Sequence, residues 1–176
     1  MCGIVGFTQK NYSAKGEAAC VEFLLNGLEN LEYRGYDSAG IAVADGSGIH
    51  CCKAVGRISN LREEVSARQP KGGCGIGHTR WATHGKPSLE NCHPHRDESG
   101  DIALVHNGII ENYQQLKEEL LAEGVQFRSQ TDTEVIAQLL AKRFCGDMKT
   151  TLEQVLPLLE GSFALAVIHK NQPDTI

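Results

Sequence analysis

The sequence lacks a long apolar run, and it also lacks the start of a secretory signal. No stretch approaches the ~20 consecutive apolar residues that a membrane-spanning helix requires. The N-terminal segment MCGIVGFTQK has neither the charged start nor the long apolar stretch of a signal peptide. We therefore expect a cytoplasmic protein with no membrane partner.

An excess of positive charge is missing as well. The chain has 17 lysines and arginines against 22 aspartates and glutamates, which gives a formal net charge of −5. A nucleic-acid or acidic-membrane partner would require a basic face on the protein. The composition therefore argues against a nucleic-acid partner.

The cysteines do not form the pattern of a disulfide framework. There are seven of them, an odd number, scattered over positions 2, 20, 51, 52, 74, 92 and 145. Such a set is typical of a reducing compartment, in which most thiols fill small apolar sites. The cysteines are thus consistent with the cytoplasm.

What the sequence does contain is the composition of one globular domain. Its 176 residues are 41% hydrophobic and 22% charged, which is close to the globular average. No repeat or linker divides the chain. The last five residues, QPDTI, resemble a turn that leads into a new strand. We therefore predict a single domain over 1–176 that is truncated at its C-terminus.

Apolar periodicity predicts the helices and strands. The helices run from Val21 to about Tyr33 and over about Ser59–Ala67, Asn112–Glu123, Asp132–Phe144 and Thr151–Leu159. The strands are MCGIVGF, Gly40–Ala44, Ile49–Ala54, Ile102–His106 and Ser162–His169, with Asp45–Gly48 as a hairpin turn. Elements of one type occur in pairs, which favours an α+β fold with antiparallel sheets over a doubly wound parallel sheet.

Two further segments are interpreted from their composition. The glycine-rich Lys71–Gly77 is followed by His78–Pro94, which has few apolar residues and many functional groups, so we predict a functional loop there. Asn107 and Gly108 are suited to a tight turn after the strand that precedes them.

Cys2 is the first candidate for chemistry. Removal of the initiator methionine would give one residue both a nucleophilic thiol and a free α-amine. The reference pKa of such an amine, about 7.7–8.0, is close to working pH, where a general base is effective. A nucleophile paired with its own N-terminal amine is a known catalytic arrangement. On its own, however, Cys2 could be no more than a small residue at the start of a strand.

Six motifs, taken in order, give the sequence a family resemblance. MCGIVG, LEYRGYDSAG, GHTRWATHG, NCHPH, HNGIIENY and TDTEVI resemble the class II glutamine amidotransferases, whose nucleophile is N-terminal. The motifs extend from Met1 to about Ile136. Within this class they are most similar to the glutaminase domains of glutamine–fructose-6-phosphate aminotransferases. Glutamine phosphoribosylpyrophosphate amidotransferases resemble HRGQDSAG and RYSTAG where this chain has YRGYDSAG and RWATHG.

The resemblance implies a fold, an activity and partners. The fold is the four-layer sandwich of that class, with two stacked antiparallel sheets between helical layers. The activity is hydrolysis of L-glutamine to glutamate and ammonia without a metal or organic cofactor. In the complete enzyme, which is expected to be a homo-oligomer, C-terminal sugar-isomerase domains would use the ammonia to convert fructose 6-phosphate to glucosamine 6-phosphate.

The resemblance also assigns the central site residues. Cys2 would attack the side-chain amide carbon of glutamine, and Asn107 and Gly108 would stabilise the oxyanion that forms. Arg80 would bind the α-carboxylate of glutamine through two parallel hydrogen bonds. Asp132 would bind the α-ammonium group. The alternatives are a plain turn for Asn107 and Gly108 and a helix N-cap for Asp132.

Five more residues receive peripheral roles from the resemblance. Thr83 and His84 would contact the carboxylate end of the substrate, and Trp81 would form a lid over it. Arg34 matches an arginine that supports the surroundings of the nucleophile. His93 matches a histidine thought to couple the two domains, although it could equally be a structural histidine.

Three other functions remain to be tested. A zinc protein is suggested by abundant candidate ligands, although no Cys-x-x-Cys pair accompanies them: His78, His84, Cys92, His93, His95 and His106. A non-catalytic module with the same fold would be expected to lack Cys2 or Arg80, and both are present. A general amidase would also hydrolyse asparagine or simple amides.

Overall fold

The computed structural model describes residues 2–9, 17–35, 37–81 and 86–176. Short 3-10 helices lie at Glu32–Arg34 and Leu156–Leu158. The α-helices are α1 (Glu17–Leu31), α2 (Ile58–Arg68), α3 (Tyr113–Ala122), α4 (Asp132–Arg143) and α5 (Met148–Val155). The strands are β1 (Gly3–Thr8), β2 (Ser38–Ala44), β3 (Ile49–Val55), β4 (Cys74–Arg80), β5 (His95–Arg96), β6 (Ile102–Gly108) and β7 (Phe163–His169).

The strands form two sheets in which every neighbouring pair is antiparallel. The first sheet has the order β1-β4-β2-β3, and the second has the order β5-β6-β7. β2 and β3 are joined by the predicted hairpin turn. There the carboxylate of Asp45 accepts hydrogen bonds from the backbone N–H groups of Ser47 and Gly48, at 2.8 and 3.0 Å. The predicted antiparallel pairing is confirmed.

Alternating residues of the first sheet face two different apolar cores, as the period of a strand requires. Ile41 and Val43 of β2 belong to a core shared with α1 and α2. Ala42, between them, faces the second sheet in a separate core with Ala103 and Val105 of β6.

A third core covers the other face of the second sheet, where Leu104 packs with residues of α3, α4 and α5 such as Leu120 and Ile136. The layers are therefore helix, sheet, sheet, helix. The predicted α+β four-layer sandwich is confirmed.

The predicted loop over His78–Pro94 is wrong in its first three residues. They belong to β4, a central strand that pairs with β1 on one side and β2 on the other. A Cβ atom on Gly75 would lie 2.8 Å from the side chain of Leu24, and one on Gly77 would lie 3.1 Å from Leu28. The glycines thus let α1 pack closely on the strand, which accounts for the glycine-rich composition.

The predicted tight turn at Asn107 and Gly108 is also wrong. β6 continues through both residues, which lie opposite Ala164 and Phe163 of β7. Gly108 has a φ of +119°, a conformation that favours glycine, and an added Cβ would overlap the carbonyl oxygen of Ser162. The pair is a distorted strand end that redirects the chain, rather than a turn between strands.

Smaller differences occur near the C-terminal end. α5 begins at Met148 rather than Thr151, because the carboxylate of Asp147 caps it by accepting a hydrogen bond from Thr150 N at 2.7 Å. The predicted turn in QPDTI is present, since Thr175 N donates to Gln172 O at 3.1 Å. The residues after it are not in a strand. Among the described residues, no helix is long and apolar enough to cross a membrane.

Candidate active site

One pocket brings together most of the residues predicted for the site. It is lined by Cys2, Arg80, Trp81, Asn107, Gly108 and Asp132, with His93 among the other residues of its wall. These residues are far apart in sequence. β1 pairs with β4, and the two sheets stack on each other. This brings together the ends of the strands and helices that carry the pocket residues.

Cys2 lies at the edge of the pocket, immediately before β1. Gly3 is paired with Thr79, so the thiol of Cys2 lies beside the residue that follows β4. The backbone N–H of Trp81 donates to Cys2 Sγ at 3.2 Å. Sγ also lies 3.7 Å from Trp81 O, so the thiol is held against the backbone of this one residue. Met1, whose removal would free the α-amine of Cys2, lies outside the described residues.

Asn107 and Gly108 lie on the opposite wall of the pocket, at the end of β6. Asn107 Nδ2 donates to the backbone oxygen of Cys2 at 3.3 Å, so its amide group points toward the nucleophile. Gly108 also lines the pocket, and the position that a side chain would take there is filled by the backbone of Ser162 and Phe163. The arrangement suits two donors aimed at an oxygen next to Cys2.

Arg80 supplies a buried positive charge. It is the last residue of β4 and only 5% of it is exposed. Its guanidinium Nη1 lies 4.0 Å from Asp37 Oδ1, and the backbone N–H of Asp37 donates to Arg80 O at 3.2 Å. The side chain is therefore held by Asp37 from behind while it also lines the pocket, where it can meet a carboxylate.

Asp132 supplies the negative charge on the other side of the pocket. It is the first residue of α4, and its Oδ2 accepts a hydrogen bond from the backbone N–H of Ile110 at 2.9 Å. The N-cap residue is Thr131, whose side chain makes no capping hydrogen bond. The N-cap interpretation of Asp132 is thus wrong, and its carboxylate is directed to the pocket instead.

A cluster of buried histidines forms part of the pocket wall and extends behind it: His78, His93 and His106 line the pocket, and His95 packs against His93. The rings of His78 and His93 are stacked, with centroids 4.1 Å apart, and His93 Nδ1 accepts a hydrogen bond from the backbone N–H of His106 at 3.3 Å. Burial lowers the pKa of His78 to about 4, although its hydrogen bond with Asn107 acts in the opposite direction. Burial likewise holds the pKa values of His93 and His95 well below 6.5. The cluster is therefore neutral at pH 7.

The remaining predicted residues lie at the periphery or outside the described part. The side chain of Trp81 is 48% exposed at the pocket mouth, where a lid residue would be found. Thr83 and His84 lie outside the described residues. Arg34 ends a 3-10 helix and does not line the pocket, but an added Cβ on the next residue, Gly35, would lie 2.8 Å from Arg80 O. Its segment thus packs on the backbone of Arg80.

The histidines engage other partners rather than a metal-binding arrangement. Thr133 Oγ1 lies 3.0 Å from His106 Nδ1 and 3.4 Å from His93 Nε2, and Thr131 Oγ1 lies 3.1 Å from His95 Nε2. Within residues 2–9, 17–35, 37–81 and 86–176, no group of three or more histidine, cysteine or acidic residues could hold a metal ion. His93, buried and bonded at both nitrogens, has the environment of a structural histidine.

Sequence reasoning assigned no site role to five residues of the pocket wall: His78, His106, Ile109, Thr131 and Thr133. His78 and His106 were considered only as zinc ligands. The missing signal was the strand period: once Cys74–Arg80 is assigned to a strand, His78 and Arg80 are two residues apart and lie on the same face. Larger cavities lie elsewhere. Those of about 290 and 420 Å³ contain Cys51, but burial raises the pKa of this thiol and so disfavours its nucleophilic form. The cavity of about 680 Å³ contains no cysteine.

Comparison with known proteins gives the same family as the motifs. The family model described as a glutamine amidotransferase domain matches residues 78–176, more than half of the chain. Glutamine–fructose-6-phosphate aminotransferase (isomerizing) of Fusobacterium nucleatum subsp. nucleatum is 52% identical over 174 residues, which cover 99% of this chain and 28% of that protein. The protein of the same name from Bacillus subtilis (strain 168) is 51% identical over 178 residues, which cover 100% of this chain and 28% of that protein.

A solved structure agrees with the fold. Glutamine phosphoribosylpyrophosphate amidotransferase from B. subtilis, complexed with ADP and GMP, superposes with a TM-score of 0.76 at 30% identity, covering 96% of this chain and 35% of that chain. This chain thus spans little more than a quarter of the length of the two aminotransferases. The motifs, the matching family model and the sandwich agree, and the chain belongs to the class II glutamine amidotransferase family.

Proposed function

We propose that this chain hydrolyses L-glutamine to L-glutamate and ammonia through a covalent intermediate on Cys2. The observation that carries the proposal is the composition of one pocket. The nucleophilic thiol lines the same pocket as a buried guanidinium, Arg80, and a carboxylate, Asp132. Glutamine carries the complementary pair of charges on its α-carboxylate and α-ammonium groups. A pocket that binds both charges presents the side-chain amide to the thiol and excludes simple amides.

The reaction proceeds in two halves that use the same groups. Cys2 Sγ attacks the amide carbon, and the carbonyl oxygen becomes an oxyanion that accepts hydrogen bonds from Asn107 Nδ2 and from Gly108 N. The C–N bond then breaks and the nitrogen takes up a proton and leaves as ammonia. Water attacks the resulting γ-glutamyl thioester and the C–S bond breaks. Glutamate is released and the free thiol of Cys2 is regenerated.

The groups around the mouth complete the proposed site. Thr83 and His84 add contacts to the α-carboxylate, and Trp81 closes over bound glutamine. Closure excludes water from the thioester until ammonia has left. The position of the indole supports this role, because Trp81 lines the pocket and is 48% exposed.

The α-amine of Cys2 carries protons between thiol, leaving group and attacking water. This requires removal of Met1, since an attached methionine would place the free amine one residue away, a Cα step of about 3.8 Å. We expect processed chains to be active and Met1-bearing chains to be nearly inactive. Intact mass measured together with ammonia release tests this. Full activity in a sample that retains Met1 would refute the role of the amine.

In the complete protein, we propose that the ammonia converts fructose 6-phosphate to glucosamine 6-phosphate. Support comes from the names of the relatives, which are about 50% identical and much longer than this chain. On this proposal, 1–176 belongs to the glutaminase domain of a cytoplasmic homo-oligomer, and C-terminal sugar-isomerase domains bind the sugar phosphate. The chemistry of this domain needs no metal or organic cofactor, because a thiol, an amine and hydrogen-bond donors suffice.

The decisive experiment is a substrate comparison with the processed chain. We expect release of ammonia from L-glutamine, but not from L-asparagine or from amides that lack the α-carboxylate or α-ammonium group. Comparable rates with asparagine would indicate a general amidase, and no hydrolysis of glutamine would indicate a non-catalytic module. Formation of glucosamine 6-phosphate by the 176-residue chain alone would contradict the assignment of the sugar chemistry to C-terminal domains.

A further inference from the structure

The proposed reaction gives no role to several buried side chains of the pocket, and His78 is one of them. His78 lies in β4, two residues before Arg80, and only 1% of it is exposed. Its Nε2 lies 2.9 Å from Oδ1 of Asn107, across the gap between the two sheets. His78 thus forms a hydrogen bond with the residue assigned to the oxyanion.

This contact determines which end of the Asn107 amide faces the nucleophile. An amide has a donor end and an acceptor end, which are interchanged by a rotation of 180°. When His78 Nε2–H donates to Asn107 Oδ1, the NH₂ group is directed toward Cys2, where Nδ2 lies 3.3 Å from the backbone oxygen. The opposite orientation would direct a carbonyl oxygen at the oxyanion and repel it.

The surroundings of the ring select the donating tautomer. The backbone oxygen of Cys2 can only accept a hydrogen bond, so the Asn107 atom 3.3 Å from it is Nδ2, and Oδ1 is the atom that faces His78. An acceptor 2.9 Å from Nε2 requires the proton of the ring to be on Nε2. The ring is also held by the stack on His93, with an interplanar angle of 15°. Ring position and tautomer therefore both favour Nε2–H.

We propose that His78 is a positioning residue that holds the Asn107 amide with its NH₂ group toward the oxyanion of the glutaminase reaction. The proposal rests on the proposed function, and it adds a residue to it. His78 does not touch the substrate. It acts only through Asn107, so its effect is expected in the transition state and not in the binding of glutamine.

The test is a set of isosteric replacements. His78→Phe keeps a ring that can stack on His93 but has no donor, and we expect kcat to fall about 10- to 100-fold, less than the 10²- to 10³-fold typical of losing an oxyanion donor. KM for glutamine should stay within about twofold, because uniform binding is untouched. His78→Gln, whose terminal NH₂ reaches about as far as Nε2, should recover much of the rate. An unchanged kcat in His78→Phe would overturn the proposal.

A control replacement separates positioning from loss of stability. His169 is also buried and stacks on Phe144 with centroids 4.1 Å apart, but it pairs with Ile102 at the far end of β6. His169→Phe should alter thermal stability to a similar extent and leave kcat unchanged. In a double-mutant cycle, Asn107→Ala should remove the effect of His78→Phe on kcat. Additive losses would contradict action through Asn107.

Two further readouts separate failure of this proposal from failure of the proposed function. In a glutamine analogue with an aldehyde in place of the amide, the thiol adds to the aldehyde carbon, and the oxygen of the adduct takes the position of the oxyanion. Glutamate forms no such adduct. His78→Phe should lower the affinity for the aldehyde analogue by the same factor as kcat and leave the affinity for glutamate unchanged. If both affinities fell equally, the role of His78 would be merely structural. A crystal structure of His78→Phe should show Asn107 Nδ2 displaced from Cys2 O. If the Asn107 amide were unmoved, His78 would not position it. This readout does not require an active wild-type chain.

Discussion

The carboxylate of Asp132 and the backbone N–H of Ile110 are joined by a hydrogen bond of 2.9 Å. This bond ties the start of α4 to the segment that leaves β6, two residues after Gly108. The element that carries the negative charge of the pocket is thus fixed to the element that carries the proposed oxyanion donors. One oxygen of the carboxylate is used for the tie. The other, Oδ1, lies 3.9 Å from His106 Nδ1 and remains on the side of the pocket.

Replacing Asp132 by asparagine should separate these two roles. Asp132→Asn keeps an oxygen that can accept from Ile110 N but removes the charge that would meet the α-ammonium group. A hydrogen bond to a charged group contributes about 1.5–3 kcal/mol, so we expect KM for glutamine to rise about 10- to 100-fold. The value of kcat should change much less, because the ammonium group does not react. Steady-state kinetics of ammonia release measure both parameters.

Asp101→Asn is the matched control for this replacement. Asp101 forms a 2.7 Å ion pair with Lys170 near the surface and does not line the pocket. Removing that charge should leave both kinetic parameters unchanged. If Asp132→Asn had a wild-type KM, the ammonium group would have to be bound by another residue.

Labelling should identify the nucleophile among the free cysteines. A glutamine analogue with an alkylating group in place of the amide is expected to modify Cys2 alone, because binding by Arg80 and Asp132 brings its reactive carbon to this thiol. Peptide mass spectrometry locates the label. Cys145 is the internal competitor, since it is exposed and free. Cys145→Ala should leave labelling and activity intact, whereas label on Cys145 with Cys2 unmodified would contradict the mechanism.

The layers of the fold and most of the site were predictable from sequence, whereas the path of the chain around the site was not. Apolar period and the six motifs indicate the antiparallel sandwich, and the motifs also name Cys2, Arg80 and Asp132. β4 was missed because the strand is central and holds glycines against α1, so it has little of the apolar alternation that marks a strand. The local composition resembles a loop, and only the packing of α1 shows why the glycines are required.

The role of His78 was hidden for a related reason. A hydrogen bond between His78 and Asn107 joins residues on different sheets, and no local pattern relates the two positions. Sequence identifies the residue types that chemistry requires. Which of them lies directly behind another depends on sheet stacking, which is a property of the whole fold.

Gly108→Ala should be far more damaging than an ordinary glycine replacement. A side chain at Gly108 requires an unfavourable φ of +119° and also overlaps the backbone of Ser162, so β6 and β7 would have to separate locally. We expect loss of more than about 2 kcal/mol of unfolding free energy, and loss of activity even in folded material. Denaturant unfolding and ammonia release measure the two effects.

Gly124→Ala provides the comparison for Gly108. Gly124 also has a positive φ, +89°, but an added Cβ would meet nothing within 4 Å. Only the conformational cost of about 1 kcal/mol applies there, and activity should be retained. Equal destabilisation by the two replacements would show that close contact with Ser162 is not what requires glycine in β6.

The buried histidines should make the fold sensitive to mild acid. The pKa of His78 is lowered from 6.5 to about 4, so below pH 6.5 the unfolded chain binds a proton that the folded chain does not. Stability then rises with pH in this window and is lost as pH falls from 6.5 toward 4, by about 3 kcal/mol for His78 alone. His93 and His95 act in the same direction. Carboxylates with lowered pKa values, such as Asp45 at about 2, act mainly below about pH 5, outside most of this window.

Chemical denaturation at pH 7.5 and pH 5.5 measures this dependence, and one replacement assigns it to the cluster. His95→Gln removes a titrating group but keeps a polar side chain beside Thr131, whose Oγ1 lies 3.1 Å from His95 Nε2. The slope of unfolding free energy against pH should decrease by about 1.4 kcal/mol per pH unit below pH 6.5, the value of one proton. His50→Gln is the control, because His50 is exposed on β3 and pairs with Asp45 at 3.0 Å. A slope that stayed the same in His95→Gln would mean that this histidine is already protonated in the folded chain.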